Sequence, residues 1–373
     1  MRVLFVGESN TGLNPSSQNA AALASVGVAV DFDEGAGWRS SAWRDTCDRI
    51  DVAHLVTYSQ CNWMLLRKLW RARARGVQIV RYWVGSDCLW ARFHAPSRRF
   101  AQALGHLGTI DLAVSEHLIE ELATVGVDAR LVPVITPHIS ATAQPHPLPA
   151  QFTVLCYLPT KRREFYGGPL IDALIEKMPQ VPFIILGDRD TDYSRHRNVE
   201  SLGTVEDLSR TMGRCTVLVR PTGHDGMPRM VLEMLSHGRH AITSLPLPHC
   251  HHAADLEGIA SALRRLRSRG EFNLAGREWV CQNFETKHTA GVLREVMQQS
   301  ITPGRRTLRR AGKRQAAKLL LRAPWLLSRK CYSLPRPEEL PPEAAALRLA
   351  LSGASATTSE SAAMQPERGT ACG

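Results

Sequence analysis

The chain has no apolar run long enough to cross a bilayer, so no transmembrane segment is expected. It has no CxxC pair. Its nine cysteines are scattered singly, which fits a reducing cytoplasm better than a disulfide framework. MRVLFVGES lacks the longer apolar core and small-residue cleavage site of a secretory signal, and it reads as a first buried strand. Gly7 and Gly12 have the spacing of a phosphate loop, yet no Lys-Ser or Lys-Thr follows Gly12, so a nucleoside-triphosphate site is not expected there. From residue 301 to residue 330 there is no acid at all, against ten Lys and Arg. That segment holds nearly all of the net charge of +11, leaving a near-neutral body with a basic extension. No aromatic-interleaved or recognition motif accompanies these cations, so nucleic acid is not the expected partner.

What is present is alternation. At 373 residues, 44% of them hydrophobic, the chain is long enough for two globular domains and something more. Buried-strand runs at Arg2–Val6, Asp51–Thr57 and Val77–Val84 alternate with helix-like segments, as at Ser17–Ser25 and Asn62–Gly76. Such alternation predicts parallel sheets with helices on both faces. Residues 137–151 are rich in proline, and the alternation resumes at Phe152. The expected organisation is a doubly wound α/β domain over 1–136, a linker over 137–151 and a second such domain over 152–300. A basic amphipathic segment over 301–334 and a disordered Pro/Ala/Ser/Thr-rich tail over 335–373 complete it.

Candidate chemistry collects on loops after strand ends, where α/β sheets bind ligands. Thr216–Arg220 is an apolar run ending in a cation, then turn residues with Asp225, a helix-like segment with Glu233, and Gly238 as its stop. Lys161, Arg162 and Arg163 offer charge-assisted bonds to a phosphorylated ligand, and the amides at the start of the Pro228 helix add a positive dipole end. Carboxylates Asp225 and Glu233 are acceptors suited to sugar hydroxyls. The pair Asp188-Arg189-Asp190 has the form of a D-x-D metal motif, and the cluster His249–His252 holds four adjacent potential ligands. Neither is expected to hold a metal. The tryptophans at 63, 70, 83 and 90 are expected in packing, and His54 in a strand.

Asp225-Gly-Met-Pro-Arg-Met-Val-Leu-Glu233, completed by Met234–Gly238, resembles the E-x7-E signature of family-four retaining glycosyltransferases, with Asp in place of the first Glu. The likeness runs over about residues 1–300, through NVESLGTVEDLSRTMGRCTVLVRPT, DVAHLV, VQIVRYWVGSD and DLAVSEHLIEELATVGV. It implies the GT-B fold, two Rossmann-like domains facing across a cleft. It also implies a bacterial-type, metal-independent hexosyltransferase with no cofactor beyond its nucleotide-diphosphate-sugar donor. In that reading Glu233 binds the donor ribose, Asp225 holds a donor-sugar hydroxyl, and Gly226 and Met227 approach the sugar or phosphate. Arg163 falls near the family's diphosphate-binding Lys. Leu158 falls near its Arg, for which Lys161 or Arg162 stands in. Gly7 lies on the cleft edge of the first domain. The family's first-domain His has no counterpart in RYWVGSD, so Asp87, His94 or backbone takes its place. The acceptor is a carbohydrate or lipid-linked hydroxyl, with residues 305–330 on anionic lipid at the inner face of the cell membrane and polysaccharide or glycolipid as product. The competing expectations are a sugar-nucleotide epimerase or hydrolase on the same fold, and a non-catalytic scaffold or glycan-binding protein.

Overall fold

The computed structural model describes residues 1–6, 15–33, 37, 39–56, 63–137, 139–140 and 147–322, apart from the side chains of Trp63, Lys161 and Arg322. The first unit runs β1 (Arg2–Phe5), α1 (Pro15–Ser25), β2 (Ala29–Phe32), α2 (Ser41–Arg49), β3 (Val52–Val56), α3 (Trp63–Ala74) and β4 (Gln78–Trp83). It continues through α4 (Ser86–Phe93), α5 (Ala95–His106), β5 (Ile110–Ala113), α6 (Glu116–Ala123) and β6 (Ala129–Leu131). Its strands are parallel, in the order β2-β1-β3-β4-β5-β6.

Every residue of β3 and β4 is buried, as expected for central parallel strands covered on both faces. Successive side chains point to opposite faces. Val3, Phe5, Val52, Val56 and Val80 pack into one cluster with Ala20 and Leu23 of α1. Leu4, Ala53, Leu55 and Ile79 pack into another with Trp43, Leu66, Leu69 and Phe100.

The second unit runs β7 (Val154–Tyr157), a 3-10 turn at Thr160–Arg162, α7 (Gly168–Lys177), β8 (Phe183–Leu186), β9 (Val199–Gly203), α8 (Leu208–Gly213) and β10 (Val217–Arg220). It continues through α9 (Arg229–Ser236), β11 (His240–Thr243), β12 (His251–His252), α10 (Leu256–Arg269) and α11 (Leu274–Phe284). The strand order is β12-β11-β10-β7-β8-β9, again parallel. Within α9, Val231, Leu232, Met234 and Leu235 are buried while Arg229 and Glu233 remain partly open. Gly238, at φ +70°, adopts the left-handed conformation that lets the chain leave this helix for β11.

Two last helices, α12 (Thr286–Ile301) and α13 (Arg305–Arg322), return to the first unit. Arg294 of α12 donates to the Val26 carbonyl at 2.9 Å. The Thr286 hydroxyl donates to the Thr136 carbonyl at 2.7 Å. Residues 286–300, expected wholly in the second domain, therefore rest on the first as well, because their apolar residues Ala290, Leu293 and Met297 find their burial there.

The segment over 301–334 is likewise not a free extension within its described part. Leu308, Ala316 and Leu319 of α13 are buried against α3 and α5. The Trp70 indole donates to the Ala316 carbonyl at 3.1 Å, and Arg73 Nε donates to Gln315 Oε1 at 3.0 Å. Arg305 donates to the carbonyls of Cys47 and Asp48. Arg306, Arg310, Lys313, Arg314 and Lys318 stay exposed. Residues 323–373, with Trp325 and the tail expected to be disordered, lie outside the described residues. No helix among the described residues is long and apolar enough to cross a membrane.

Gly312 sits where α13 crosses α3, and a Cβ there would lie 1.9 Å from the Arg73 carbonyl oxygen. Gly312→Ala is therefore expected to lower stability by about 1–3 kcal/mol through overpacking against backbone. Gly105→Ala, at a helical position with open space around it, is expected to gain roughly 0.5–1 kcal/mol from helix propensity. Urea denaturation of both variants checks the pair.

Candidate functional site

In the second sheet the chain winds from β7 out to β9 and then crosses back to β10 on the other side. Neighbouring strands β7 and β10 thus send their following segments in opposite directions, which opens a crevice at their carboxyl ends. Tyr157 closes β7, Arg220 closes β10, and both line a cleft of about 400 Å3. The facing wall comes from the first unit: Pro15, Gln18 and Asn19 of α1, and Tyr82, Val84, Gly85 and Ser86 around the end of β4.

The loop from Pro221 to Pro228 is pinned between the units. Gly223 N–H donates to the Phe165 carbonyl at 3.0 Å. A Cβ on Gly226 would lie 2.2 Å from the Val84 carbonyl oxygen, so only glycine allows this approach. From the first unit, His117 Nε2–H donates to the Asp225 carbonyl at 2.7 Å. His224 Nε2 reaches Glu121 Oε2 at 3.0 Å, and Arg92 donates to the other oxygen of the same carboxylate at 2.6 Å. Burial pushes the Glu121 carboxyl up, but His224 and Arg92 outweigh it and hold the group below its ordinary range.

Four charged side chains of the second unit converge on the cleft: Arg220, Asp225, Arg229 and Glu233. Arg220 and Asp225 are bound to each other, Nε to Oδ2 at 2.9 Å with a second bond from Nη2. Asp225 Oδ1 accepts the Gly226 amide at 3.0 Å. The Arg220 guanidinium also lies 5.0 Å from the Tyr166 ring centre. Arg229 and Glu233 are different, since neither side chain has a hydrogen bond or ion pair among the described residues. Burial depresses the Arg229 guanidinium, with Glu233 and Asp225 opposing, and burial raises the Glu233 carboxyl to about 7. A cation and a carboxyl, both short of partners and lining one cleft, are poised for an anionic group and for hydroxyls.

Of the residues singled out from sequence, Asp225, Met227 and Glu233 line this cleft, and Gly226 lies beside it. Arg163 does not line it. Its Nε bonds Asp188 at 2.9 Å, and its Nη2 bonds the Tyr193 hydroxyl at 2.8 Å and Asp172. Those partners raise its basicity against the opposing effect of burial, and they occupy the charge expected for a diphosphate. Arg162 ends the 3-10 turn and is not among the lining residues. Lys161 has only its backbone described, and Gly7 lies outside the described residues. Arg220 and Arg229 are the cleft's guanidiniums instead, and the signal for both was present: one cation ending an apolar strand, another inside the Asp225–Glu233 spacer.

Neither stand-in for a first-domain His lines the cleft. The Asp87 carboxylate is buried, accepting amides of Val84, Gly85 and Cys88, and His94 bonds Ser97 at 2.9 Å. Asp188 accepts the Thr191 hydroxyl at 2.6 Å, the amides of Asp190 and Thr191, and Arg163, so the D-x-D form is a turn cap. No group of three His, Cys, Asp or Glu among the described residues could hold a metal ion. His54 is buried in β3 beside the Val80 carbonyl, and burial depresses its pKa to about 4. Trp83 is buried, donating to Asp111 at 2.7 Å, and Trp90 is also buried.

No protein-family model matches the chain, and no curated protein sequence matches it significantly. Solved structures do. Sucrose-phosphate synthase from Thermosynechococcus elongatus aligns with a TM-score of 0.63 at 15% identity, covering 82% of this chain and 100% of that one. HepE of Anabaena, solved with UDP and glucose, aligns with a TM-score of 0.64 at 13% identity over 80% of this chain and 100% of its own. A glycosyltransferase from Rickettsia africae gives 0.60 at 11% identity, over 81% and 99%. At these identities the likeness establishes the fold, the GT-B arrangement of two Rossmann-like units facing across a cleft.

Glu233 makes stability depend on pH. Its folded pKa lies above the ordinary 4.5, so its stabilisation is complete below pH 4.5 and is lost as pH rises through about 7. Glu233→Gln removes that loss, and urea denaturation from pH 4.5 to 8 is expected to show the variant gaining on wild type with rising pH, by roughly 1–3 kcal/mol at the plateau at 1.36 kcal/mol per unit. Parallel pH curves for the two proteins would contradict a desolvated carboxyl at this position.

Proposed function

We propose that this chain is a glycosyltransferase that moves a sugar from a nucleotide-diphosphate sugar to an acceptor hydroxyl. The observation that carries the reading is the pair Arg229 and Glu233, both lining the cleft at the sheet's crossover point and both without a partner among the described residues. A nucleotide sugar brings what each lacks: ribose hydroxyls for Glu233 and a diphosphate for Arg229. The GT-B fold and the UDP and glucose named with HepE support the same reading.

The chemistry assigned to the chain's own residues is electrostatic. The bond between the anomeric carbon and the diphosphate oxygen breaks, and its electron pair leaves with the diphosphate. Arg229 and Arg220 stabilise that charge, together with amides of the first turn of α9. The acceptor oxygen bonds to the anomeric carbon, and its proton ends on the nucleotide diphosphate. Two guanidiniums supply the positive charge here, which is the basis for a metal-independent reaction. Retention of configuration, a hexosyl donor and a bacterial polysaccharide or glycolipid product rest on the resemblance of Asp225–Gly238 to the family-four signature. Arg220 engages both the diphosphate and Asp225 in this scheme, so donor binding loosens that pair and turns Asp225 toward a sugar hydroxyl.

A second reading, a nucleotide-sugar-binding protein without turnover, is favoured by the closed Arg220–Asp225 pair itself. UDP-glucose is the first probe for both. Titration calorimetry is expected to show UDP-glucose binding that weakens roughly 10–100-fold in Glu233→Ala, from loss of charge-assisted hydrogen bonds of about 1.5–3 kcal/mol. Arg229→Met is expected to erase the preference for UDP over uridine. UDP release with added acceptors selects transfer, and tight binding without release selects the second reading. A full set of UDP-, GDP- and ADP-sugars that neither binds nor raises Tm would exclude both.

The exposed cations of α13 support an acceptor carried on anionic lipid, with the chain peripheral at the cytoplasmic face. Each is worth about 1 kcal/mol at such a surface. Replacing Arg306, Arg310, Lys313 and Arg314 together by Gln is expected to abolish sedimentation with phosphatidylserine vesicles while leaving the denaturation midpoint within a few degrees. Unchanged sedimentation would remove the membrane reading.

A further inference from the structure

The two walls of the cleft differ in charge. Arg220, His224, Asp225, Arg229 and Glu233 all belong to the second unit, whereas every described lining residue of the first unit is uncharged. Nor is the Tyr82 hydroxyl free to read a ligand, because it donates to the carbonyls of Pro133 and Val132.

What remains on this wall is amide and hydroxyl chemistry at the start of α1. Asn19 is 2% exposed, lines the cleft, and its Nδ2 has no hydrogen-bond partner among the described residues. Gln18 lines the cleft beside it, and its buried Oε1 also has none. Ser16, one turn back, carries a buried hydroxyl in the same condition. The sequence PSSQNAAALAS divides accordingly: Ala20, Ala22 and Leu23 enter the core, and the polar residues cluster at the other end. Burying a carboxamide donor and acceptor unpaired costs stability, so such groups mark a place where a ligand completes the bonding. An amide N–H2 donates and an amide oxygen accepts, while a hydroxyl does both. Adjacent carboxamides therefore match a polyol. A phosphoryl dianion needs cations, and this wall has none among its described residues.

We infer that the first-unit wall of the cleft binds an uncharged, hydroxyl-rich acceptor, a glycan end or polyol, through Asn19 and Gln18, and discriminates against a phosphorylated sugar. This rests on the cleft being a glycosyl-transfer site, with the donor on the charged wall. The acceptor hydroxyl then lies across from Arg229 and Glu233, and the neutral wall keeps the second substrate from competing for the cations that hold the diphosphate.

Saturation-transfer NMR on the full chain tests it, without nucleotide and again with UDP. The probes are the methyl glycosides of glucose, galactose, mannose and N-acetylglucosamine, and glucose 6-phosphate. At least one glycoside is expected to give signal in the wild type, with binding at least tenfold weaker in Gln18→Leu and in Asn19→Leu. With UDP occupying the charged wall, glucose 6-phosphate is expected to bind more weakly than its neutral counterpart. Asn19→Asp keeps size and shape if the leucine variant fails to fold, and it is expected to lower glycoside affinity as well. The inference is overturned if no glycoside binds, if glycoside binding is unchanged in the variants that fold, or if glucose 6-phosphate binds more tightly with UDP present. Glycoside binding with no response to any nucleotide sugar would leave a neutral glycan site on this wall and remove the transferase reading. The reverse pattern would remove this inference alone.

Discussion

The contact on which the rest of the site depends is between backbones. Gly226 of the second unit lies so close to the Val84 carbonyl of the first that no side chain fits between them. His117 holds the adjacent Asp225 carbonyl, and the bonds from Arg92 and His224 to Glu121 close the same seam from the side. Because this loop is held from both units, the start of α9 meets the cleft at a defined place. The charged residues on either side of it face a wall that belongs to a different sheet. A longer side chain at residue 226 would separate the walls and dissolve the cleft as a single environment.

Within that cleft the charges are balanced in number and unequal in state. Arg220 and Asp225 satisfy each other, whereas Arg229 and Glu233 are partly buried without direct partners among the described residues, and burial shifts both toward their neutral forms. Fold stability alone does not favour such an arrangement, since an unpaired buried charge is costly. A ligand with a diphosphate at one end and vicinal hydroxyls nearby would relieve both. The ion pair that is already closed has a different consequence: Arg220 serves a ligand only by sharing itself between that ligand and Asp225. Donor recognition and the freeing of Asp225 are thereby linked.

The carboxyl-terminal helices show how a strongly basic segment is accommodated. The buried side of α13 carries Leu308, Gly312, Ala316 and Leu319, small or aliphatic residues at helical spacing, and it packs on α3. Arg305 is drawn into backbone carbonyls near the end of α2, where a guanidinium satisfies several acceptors at once. The remaining cations form the outward face of an anchored helix, so the positive surface is part of the first unit's shape.

Local pattern carried much of the fold. Buried apolar runs alternating with helical periods placed the strands near Arg2, Val52, Gln78, Val154, Phe183 and Val217, because strand and helix periodicity are properties of neighbouring residues. The spacing of Asp225, Glu233 and Gly238 likewise located one strand–loop–helix and the part of it that faces the cleft. What a linear reading left open was pairing between distant residues. Arg163 looks like a free cation until the fold brings Asp188, 25 positions away, and Tyr193 to it. The helix at 305–322 looks like an appendage until α3 covers its apolar side. Asn19 looks like an ordinary helix residue until the fold sets it, buried, in the wall of the cleft. Propensity and periodicity are short-range and were legible in the sequence. The availability of a charge or an amide for a ligand depends on which far-off groups the tertiary structure sets against it, and only the packed chain decided that.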